Sequence, residues 1–300
     1  MTPTHRMLGQ CGFCKMLIAG LLATAACGGA ADAPPAGTTS KPVKLQAGPV
    51  PGTRQWRFAS TKHQVALLEL YTSQECNSCP PADAAISALP EQGYGLEKVV
   101  PLALHVSYWP NLGWTDTFAQ DLFAARHRVI AYRAGSEGPY TPQIALNGSS
   151  RNQRGAELLK LIDRVNLRPP AINLSILVEL APAGGALQIF ADADRSRVLT
   201  RRDTCEIYFI VFENHCLTTV TGGENKGKTL KQPCVVRHMG LPHTLPPDVD
   251  IMPMGHGVKI EPGWRIENLG VAVFVQRATD GAIVQACGGL LTPGSETVVK

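Results

Sequence analysis

Two patterns of apolar and polar residues follow one another along this chain, and the change falls near Pro169-Pro170. Before it, short apolar runs such as 65–71 and 99–106 are separated by segments with helical spacing. A short apolar run that ends in turn-forming residues predicts a buried strand. Because strands that alternate with helices build layered α/β structures, we predict an α/β domain over residues 56–168.

This half of the chain has a definite predicted order of elements. In chain order they are a strand over 65–71, a helix ending near Leu89, a strand over 99–106, a helix over 117–134, a strand over 143–146, a short strand near 153–154 and a helix over 156–165. Asn147-Gly148, which follows the third strand, is a dipeptide that favours tight turns.

After residue 169 the apolar runs become shorter, and many of them alternate with polar residues. Turn residues separate the runs, and Gly184-Gly185 and Asp280-Gly281 give the clearest hairpin signals. Several short alternating strands predict a sandwich-like sheet structure. We therefore expect an all-β domain over residues 169–300.

The segment 16–26 is the one stretch apolar enough to enter a membrane. It is too short to span a bilayer comfortably, and it lies between basic residues and small residues, which is typical of a secretory signal. We predict that residues 1–27 are a signal peptide and that the protein works in the periplasm or cell envelope, an oxidising compartment.

Ala25-Ala26-Cys27 resembles a bacterial lipoprotein processing site, in which Cys27 becomes the lipid-bearing first residue. Simple cleavage nearby is the alternative. Residues 28–55, rich in Ala, Pro, Gly and Thr, predict a flexible linker. The only membrane contact that we expect is this N-terminal lipid anchor.

The formal net charge is +4 over 300 residues, without a Lys/Arg cluster, so nucleic acid is not an expected partner. Of the nine cysteines, Cys11 and Cys14 lie within the predicted signal peptide. Four lie in the second half and are candidates for structural disulfides: Cys205, Cys216, Cys234 and Cys287. Sequence does not choose among their three pairings, and reduced core cysteines are the alternative.

Cys76-Asn77-Ser78-Cys79 stands where the first predicted strand meets a predicted helix. This arrangement predicts that Cys76 lies at the N-terminus of the helix, where a thiolate is favoured over a thiol. We therefore predict that Cys76 attacks and Cys79 resolves the mixed disulfide, with thiols or disulfides of proteins or small molecules as partners. Such a pair is itself the redox group and needs no other cofactor.

A permanent structural disulfide and half of a metal site are the alternatives for this C-x-x-C motif. Zinc requires two further Cys or His ligands at suitable spacing, and no second C-x-x-C follows in this half of the chain. No metal is therefore expected.

Other residues near the motif are candidates for supporting roles. Glu69, seven residues before Cys76 in an apolar strand, is a candidate acceptor for the proton released by the resolving thiol. Pairing of Glu69 with Lys or Arg is equally consistent with the sequence. Tyr108, Trp109 and Trp114 are candidates for a substrate groove, and core packing is the alternative for at least one of them.

Residues 222–229 match the phosphate-loop pattern G-x-x-x-x-G-K-[ST]. A true phosphate loop lies between a buried strand and a long helix, whereas Pro233 interrupts any helix here and the surroundings are predicted to be β-structure. We reject nucleotide binding and predict a hairpin with positive character that reaches toward the domain holding the cysteine pair.

Several segments together resemble an exported bacterial thioredoxin-like family known only as domain of unknown function 1223. The segments are 68–83, 105–109, 112–114, 140–143 and 223–230. The resemblance implies a thioredoxin-like domain followed by a β domain. It also implies a cis peptide bond before Pro142, which would leave the backbone of Thr141 free to pair with a substrate in a groove beside the cysteine pair. An ordinary trans proline that opens a strand is the alternative. The resemblance implies no established reaction.

The sequence therefore predicts an exported thioredoxin-like thiol–disulfide oxidoreductase, or a redox-related protein, that acts through Cys76 and Cys79. Two alternatives stay open. One is a non-enzymatic envelope binding or assembly protein whose C-x-x-C is a structural disulfide. The other is a metal-handling module.

Overall fold

The computed structural model describes residues 50–109, 113–151, 154–196 and 203–299. All of them belong to one compact unit. The predicted signal peptide, the candidate lipidation site Cys27 and most of the predicted linker lie outside the described residues.

Strands dominate the described residues, which contain sixteen strands, three α-helices and one short 3₁₀ helix. The strands are β1 (Arg54–Ala59), β2 (Ala66–Thr72), β3 (Val99–His105), β4 (Gln143–Leu146), β5 (Ser149–Arg151), β6 (Asn173–Leu180), β7 (Ala186–Asp194), β8 (Cys205–Glu213), β9 (Cys216–Thr219), β10 (Thr229–Gln232), β11 (Val235–Met239), β12 (His243–Leu245), β13 (Ile251–Lys259), β14 (Leu269–Arg277), β15 (Ile283–Leu290) and β16 (Thr297–Val298). The helices are α1 (Pro80–Ser87), α2 (Asp121–Arg133), α3 (Ala156–Asn166) and the 3₁₀ helix Ile266–Asn268.

The elements predicted for the first half are close to those observed. β2 and β3 are fully buried and pair in parallel, and β4 joins the other side of β2 in antiparallel orientation. Asn147 and Gly148 both have positive φ, at 49° and 79°, as the predicted turn requires. The short strand β5 begins at Ser149, a few residues earlier than predicted.

Strands from both halves of the chain share the same sheets. One sheet has nine strands, in the order β15-β14-β8-β11-β3-β2-β4-β5, with β12 paired to β8. The parallel contact between β3 and β11 joins the two halves. In the second, five-stranded sheet, β1 lies between β6 and β16. The predicted fold class, an α/β thioredoxin-like domain followed by a separate all-β domain, is therefore wrong.

The burial pattern of β8 gives the physical reason for this difference. Ile207, Phe209 and Val211 point into the core between the two sheets. Ile210 and Phe212, on the opposite face, pack into the core shared with the helices. A strand buried on both faces belongs to a central layer, whereas the prediction treated these runs as strands of an independent sandwich.

β9 and β10 pair only with each other and form a separate two-stranded sheet. Their register places Cys216 opposite Gln232 and Thr219 opposite Thr229. We call residues 216–232 the covering hairpin, because it lies over the cysteine pair. Among the described helices, none has the length and apolar character needed to cross a membrane.

Candidate functional site

Cys76 and Cys79 form a disulfide, with an S–S distance of 2.14 Å and a Cα–Cα distance of 5.4 Å. The pair lies in the turn between β2 and α1, at the carboxyl end of the strand. Pro80 and Pro81 occupy the first helical positions, which suit proline because no backbone donor is needed there. Cys79 is consequently the N-cap of α1, and Cys76, predicted to hold that position, lies one turn earlier.

Both cysteines have 0% relative exposure, although Asn77 and Ser78 between them are exposed. The loop of the covering hairpin binds the backbone around them. Asn225 Nδ2 donates to the carbonyl oxygens of Gln74, at 2.9 Å, and of Cys76, at 3.0 Å. At the exposed side of the turn, a carboxylate oxygen of Glu224 accepts a hydrogen bond from Asn77 N–H at 3.1 Å.

The predicted hairpin forms, and its loop contacts the half of the chain that holds the cysteine pair. The loop passes so close to another segment of the same chain that a Cβ atom at Gly222 would clash with the Gly113 carbonyl oxygen. The loop also connects two strands, so the strand–loop–helix context of a phosphate loop is missing.

Asp83 is buried one helical turn after Cys79, and its N–H donates to the Cys79 carbonyl oxygen at 3.1 Å. Residues four apart in a helix lie on the same face. Burial raises the pKa of Asp83 to about 7, although His105 and Thr72 act in the opposite direction. Among the described residues, Asp83 Oδ1 has no hydrogen-bond partner.

His105 connects Asp83 electrostatically with a second carboxylate. His105 Nδ1 lies 2.7 Å from Asp116 Oδ2. Burial acts against the charged form of His105, but Asp116 outweighs it, so the pKa of His105 is raised. Burial likewise opposes ionisation of Asp116, but His105 and the N–H groups of Gln74 and Phe118 hold its pKa below the ordinary value.

We call Asp83, His105 and Asp116 the buried ionisable cluster. Sequence reasoning did not single out Asp83, although its position four residues after Cys79 in a helix was readable. The proximity of Asp116 and His105 depends on a loop that no local pattern predicts.

Glu69 lies on the other side of the sheet layer. Its Oε1 atom is 2.5 Å from Arg126 Nε, and it accepts a hydrogen bond from the Tyr71 hydroxyl at 3.1 Å. Side chains alternate along a strand, so Glu69 and Tyr71 face away from Thr72, which interacts with Asp83. Of the two roles left open for Glu69, the ion pair with arginine is the one observed.

The predicted aromatic residues are all anchored by polar contacts. Trp109 Nε1 donates to Thr141 Oγ1 at 2.9 Å, and Trp114 Nε1 donates to Gln74 Oε1 at 2.9 Å. The Tyr108 hydroxyl lies 3.0 Å from His127 Nδ1, and the Tyr108 ring packs against the core. Trp114 thus contacts the turn that carries the cysteines, and Trp109 contacts the predicted groove residue Thr141.

The Thr141–Pro142 peptide bond is cis, as predicted. Gln143, the next residue, pairs with Tyr71 across antiparallel strands. Pro142, which precedes β4, therefore lies near the carboxyl end of β2, where the cysteine pair follows.

The four distal cysteines, Cys205, Cys216, Cys234 and Cys287, are buried free thiols, so the predicted structural disulfides are not formed. Cys205 lies opposite Arg277 of β14, whereas Cys287 lies opposite Val273 on the other side of that strand. This spacing exceeds the Cα–Cα reach of about 7 Å that a disulfide allows.

Cys216 and Cys234 are closer to each other but remain unbonded. Cys216 pairs with Gln232 in the covering hairpin, whereas Cys234 lies beyond the paired residues, after Pro233. Burial, with a smaller contribution from Cys216, raises the pKa of Cys234 to about 12. The alternative of reduced core cysteines therefore describes these residues.

Within the part of the chain that the structure describes, no three His, Cys, Asp or Glu side chains form a group suited to a metal ion.

Comparison with known proteins gives a family but no activity. A family model described as protein of unknown function (DUF1223) matches residues 67–276. The crystal structure of protein AGR_C_4864 from Agrobacterium tumefaciens is similar, with a TM-score of 0.56 and 25% identity over 80% of this chain and 99% of that one. HBP35 of Porphyromonas gingivalis shares the fold, with a TM-score of 0.57 and 15% identity over 80% of this chain and 81% of that one. No curated protein matches the chain.

Proposed function

We propose that this chain, which belongs to the DUF1223 family of proteins of unknown function, is a thiol–disulfide oxidoreductase that reacts through Cys76 and Cys79. The observation that carries the proposal is the buried ionisable cluster beside the disulfide. Burying groups that can ionise costs free energy unless they are paired. A carboxyl group with a pKa of about 7 next to Cys79 is suited to proton transfer near neutral pH.

The reaction begins with the oxidised pair. A client thiolate attacks Cys76 Sγ, the Cys76–Cys79 bond breaks, and the electron pair leaves on Cys79 Sγ. Protonated Asp83 lies on the same helix face as Cys79 and supplies a proton to the departing thiolate. A second client thiolate then attacks the client sulfur of the mixed disulfide and releases Cys76 as a thiolate. The client dithiol is oxidised to a disulfide, and the protein pair is reduced.

Cys76 is the sulfur that faces clients in this proposal. Cys76 Sγ lies 3.4 Å from the hydroxyl oxygen of the exposed Ser78, whereas Cys79 is the N-cap of α1, next to Asp83. Because both sulfurs are covered, the covering hairpin has to move before a client can approach. We further propose that the clients are thiols and disulfides outside the cytoplasm, where the predicted signal residues 1–27 would direct the chain.

A structural disulfide in a non-enzymatic envelope protein is the second candidate function. The complete burial of both cysteines favours it. The two candidates differ in whether the pair cycles under native conditions.

Thiol trapping across a glutathione redox series, on the folded wild-type protein, separates them. An oxidoreductase will show reversible reduction of Cys76 and Cys79 within the range of the series. A potential below about −300 mV, beyond the reach of glutathione, will identify a structural bridge.

The role of Asp83 is tested in the same assay at pH 7. Asp83→Asn should slow reduction of the pair by a small thiol at least tenfold, because the leaving sulfur loses its proton donor. Asp248→Asn, at an exposed position, is the matched control and should reduce at the wild-type rate. Equal rates in all three proteins would remove Asp83 from the mechanism.

A further inference from the structure

A cavity of about 570 Å³ lies near the amino end of β2, whereas the disulfide follows the carboxyl end of that strand. Gln64, just before β2, lines the cavity, whereas Cys76 follows the end of the same strand. β2 has seven residues, and a strand of that length spans roughly 23 Å. The cavity is therefore a site distinct from the cysteine pair.

One side of the cavity is apolar. Leu161 and Val165 of α3, Leu146 of β4 and Ile283 of β15 form this side. Gln64 holds the walls together, since its Nε2 atom donates to the Ile283 carbonyl oxygen at 2.8 Å. The cavity is large enough for a small molecule, and its lining is divided between this apolar wall and polar or charged residues.

Every charged residue that lines the cavity is an arginine: Arg164, Arg168 and Arg277. Arg277 is engaged by Asp203, at 3.5 Å, and by Asp280, at 3.2 Å. Arg164 and Arg168 are exposed, and neither makes an ion pair with any residue that the structure describes. Arg164 also lies in the last turn of α3, where a cation offsets the helix dipole, but Arg168 lies beyond the helix.

We propose that this cavity binds a small organic anion with a carboxylate head and an apolar body. The guanidinium groups of Arg164 and Arg168 match a carboxylate, which arginine binds through paired N–H···O contacts. The apolar wall, which includes Leu161 and Ile283, covers the body of the ligand. Neither the proposed redox activity nor its failure affects this binding.

Calorimetric titration of the full oxidised chain with three probes tests the proposal. Decanoate carries both the charge and the apolar body, decanol carries the body alone, and inorganic phosphate carries charge alone. Saturable binding of decanoate at one site per chain is expected, with decanol and phosphate each at least tenfold weaker.

The location is tested with Arg164→Gln/Arg168→Gln, which should weaken decanoate binding at least tenfold. Arg128→Gln, an exposed arginine of α2 outside the cavity, is the matched control and should bind as the wild type does. Arg168→Gln alone, outside α3, should weaken binding in the same direction even if the double variant unfolds.

Three outcomes would overturn the proposal. They are absence of saturable decanoate binding, equal binding of decanol or phosphate, and unchanged affinity in the arginine variants.

Discussion

Asp83 has a pKa of about 7 in the folded protein, against 3.8 for an ordinary aspartate. Between these values the folded state holds a proton that the unfolded state has lost. Asp83 therefore makes the free energy of unfolding fall as the pH rises from about 4 to about 7. Above that range its unfavourable contribution is complete and constant.

Replacing Asp83 with Asn removes this proton linkage. We expect Asp83→Asn to have nearly the wild-type stability at pH 4 and to exceed it at pH 8, by at most about 4 kcal/mol. Urea unfolding of the oxidised proteins at the two pH values measures the difference. A stability difference that does not grow with pH would show that Asp83 is ionised in the folded protein.

The buried ion pair between Glu69 and Arg126 should contribute to stability in the opposite direction. Glu69 has 0% side-chain exposure and Arg126 has 10%, so removing one partner leaves a buried charge without compensation. We expect Glu69→Gln to lower the free energy of unfolding by about 3–5 kcal/mol. Replacing both partners together, as in Glu69→Met/Arg126→Met, should recover most of the loss.

The rate of thiol reduction separates Glu69 from Asp83. Because Glu69 faces the opposite side of its strand, Glu69→Gln should leave the pH dependence of Cys76–Cys79 reduction unchanged. A shifted profile in that variant would return Glu69 to the mechanism as the proton carrier.

Only some residues of the candidate site could be predicted from the sequence. The C-x-x-C motif could be identified from four neighbouring residues, whereas the cis bond before Pro142 was predicted mainly from the family resemblance. His105 and Asp116 were not, because their 2.7 Å contact is produced by a loop between β3 and α2.

The covering hairpin is the element that controls access to the disulfide. It pairs with none of the other strands that the structure describes, so its position depends on contacts such as those of Asn225 with the Gln74 and Cys76 carbonyl groups. A small element held by few contacts opens more readily than a core strand.

We expect Asn225→Ala to speed reduction of Cys76–Cys79 by glutathione several-fold, because it removes both of these hydrogen bonds. The rate of thiol trapping in native buffer is the measurement, and global stability is checked by urea unfolding. Asn173→Ala, at an exposed position at the start of β6, is the control. Unchanged reduction of Asn225→Ala would mean that the hairpin does not limit access.

The positions of individual strands along the chain were predicted more accurately than the pairing between strands. β2, β3 and β4 were identified from short apolar runs bounded by turns. The pairing of β3 with β11 was not, because more than a hundred residues separate these strands and nothing in either segment specifies the other.

At the scale of the whole molecule, the nine-stranded sheet makes the two halves of the chain depend on each other. Residues 50–168 alone would keep β2 and β3 but lose β11, the neighbour of β3. β1 would lose both of its partners, β6 and β16. The continuous apolar runs of β8 and β14 indicated that these strands lie in a shared central sheet. A strand that is buried on both faces belongs to a central layer and not to the surface of a sandwich.

We therefore expect the fragment 50–168 not to fold alone, in contrast to a fragment of residues 50–299. Urea unfolding followed by circular dichroism measures this: the longer fragment should show a cooperative transition and the shorter one none. The exposed edge of β3 in the short fragment should also promote association, because an unpaired strand is a template for further pairing. A cooperative transition in residues 50–168 would instead establish that the first half is an independent domain, with its β3–β11 contact only an interface.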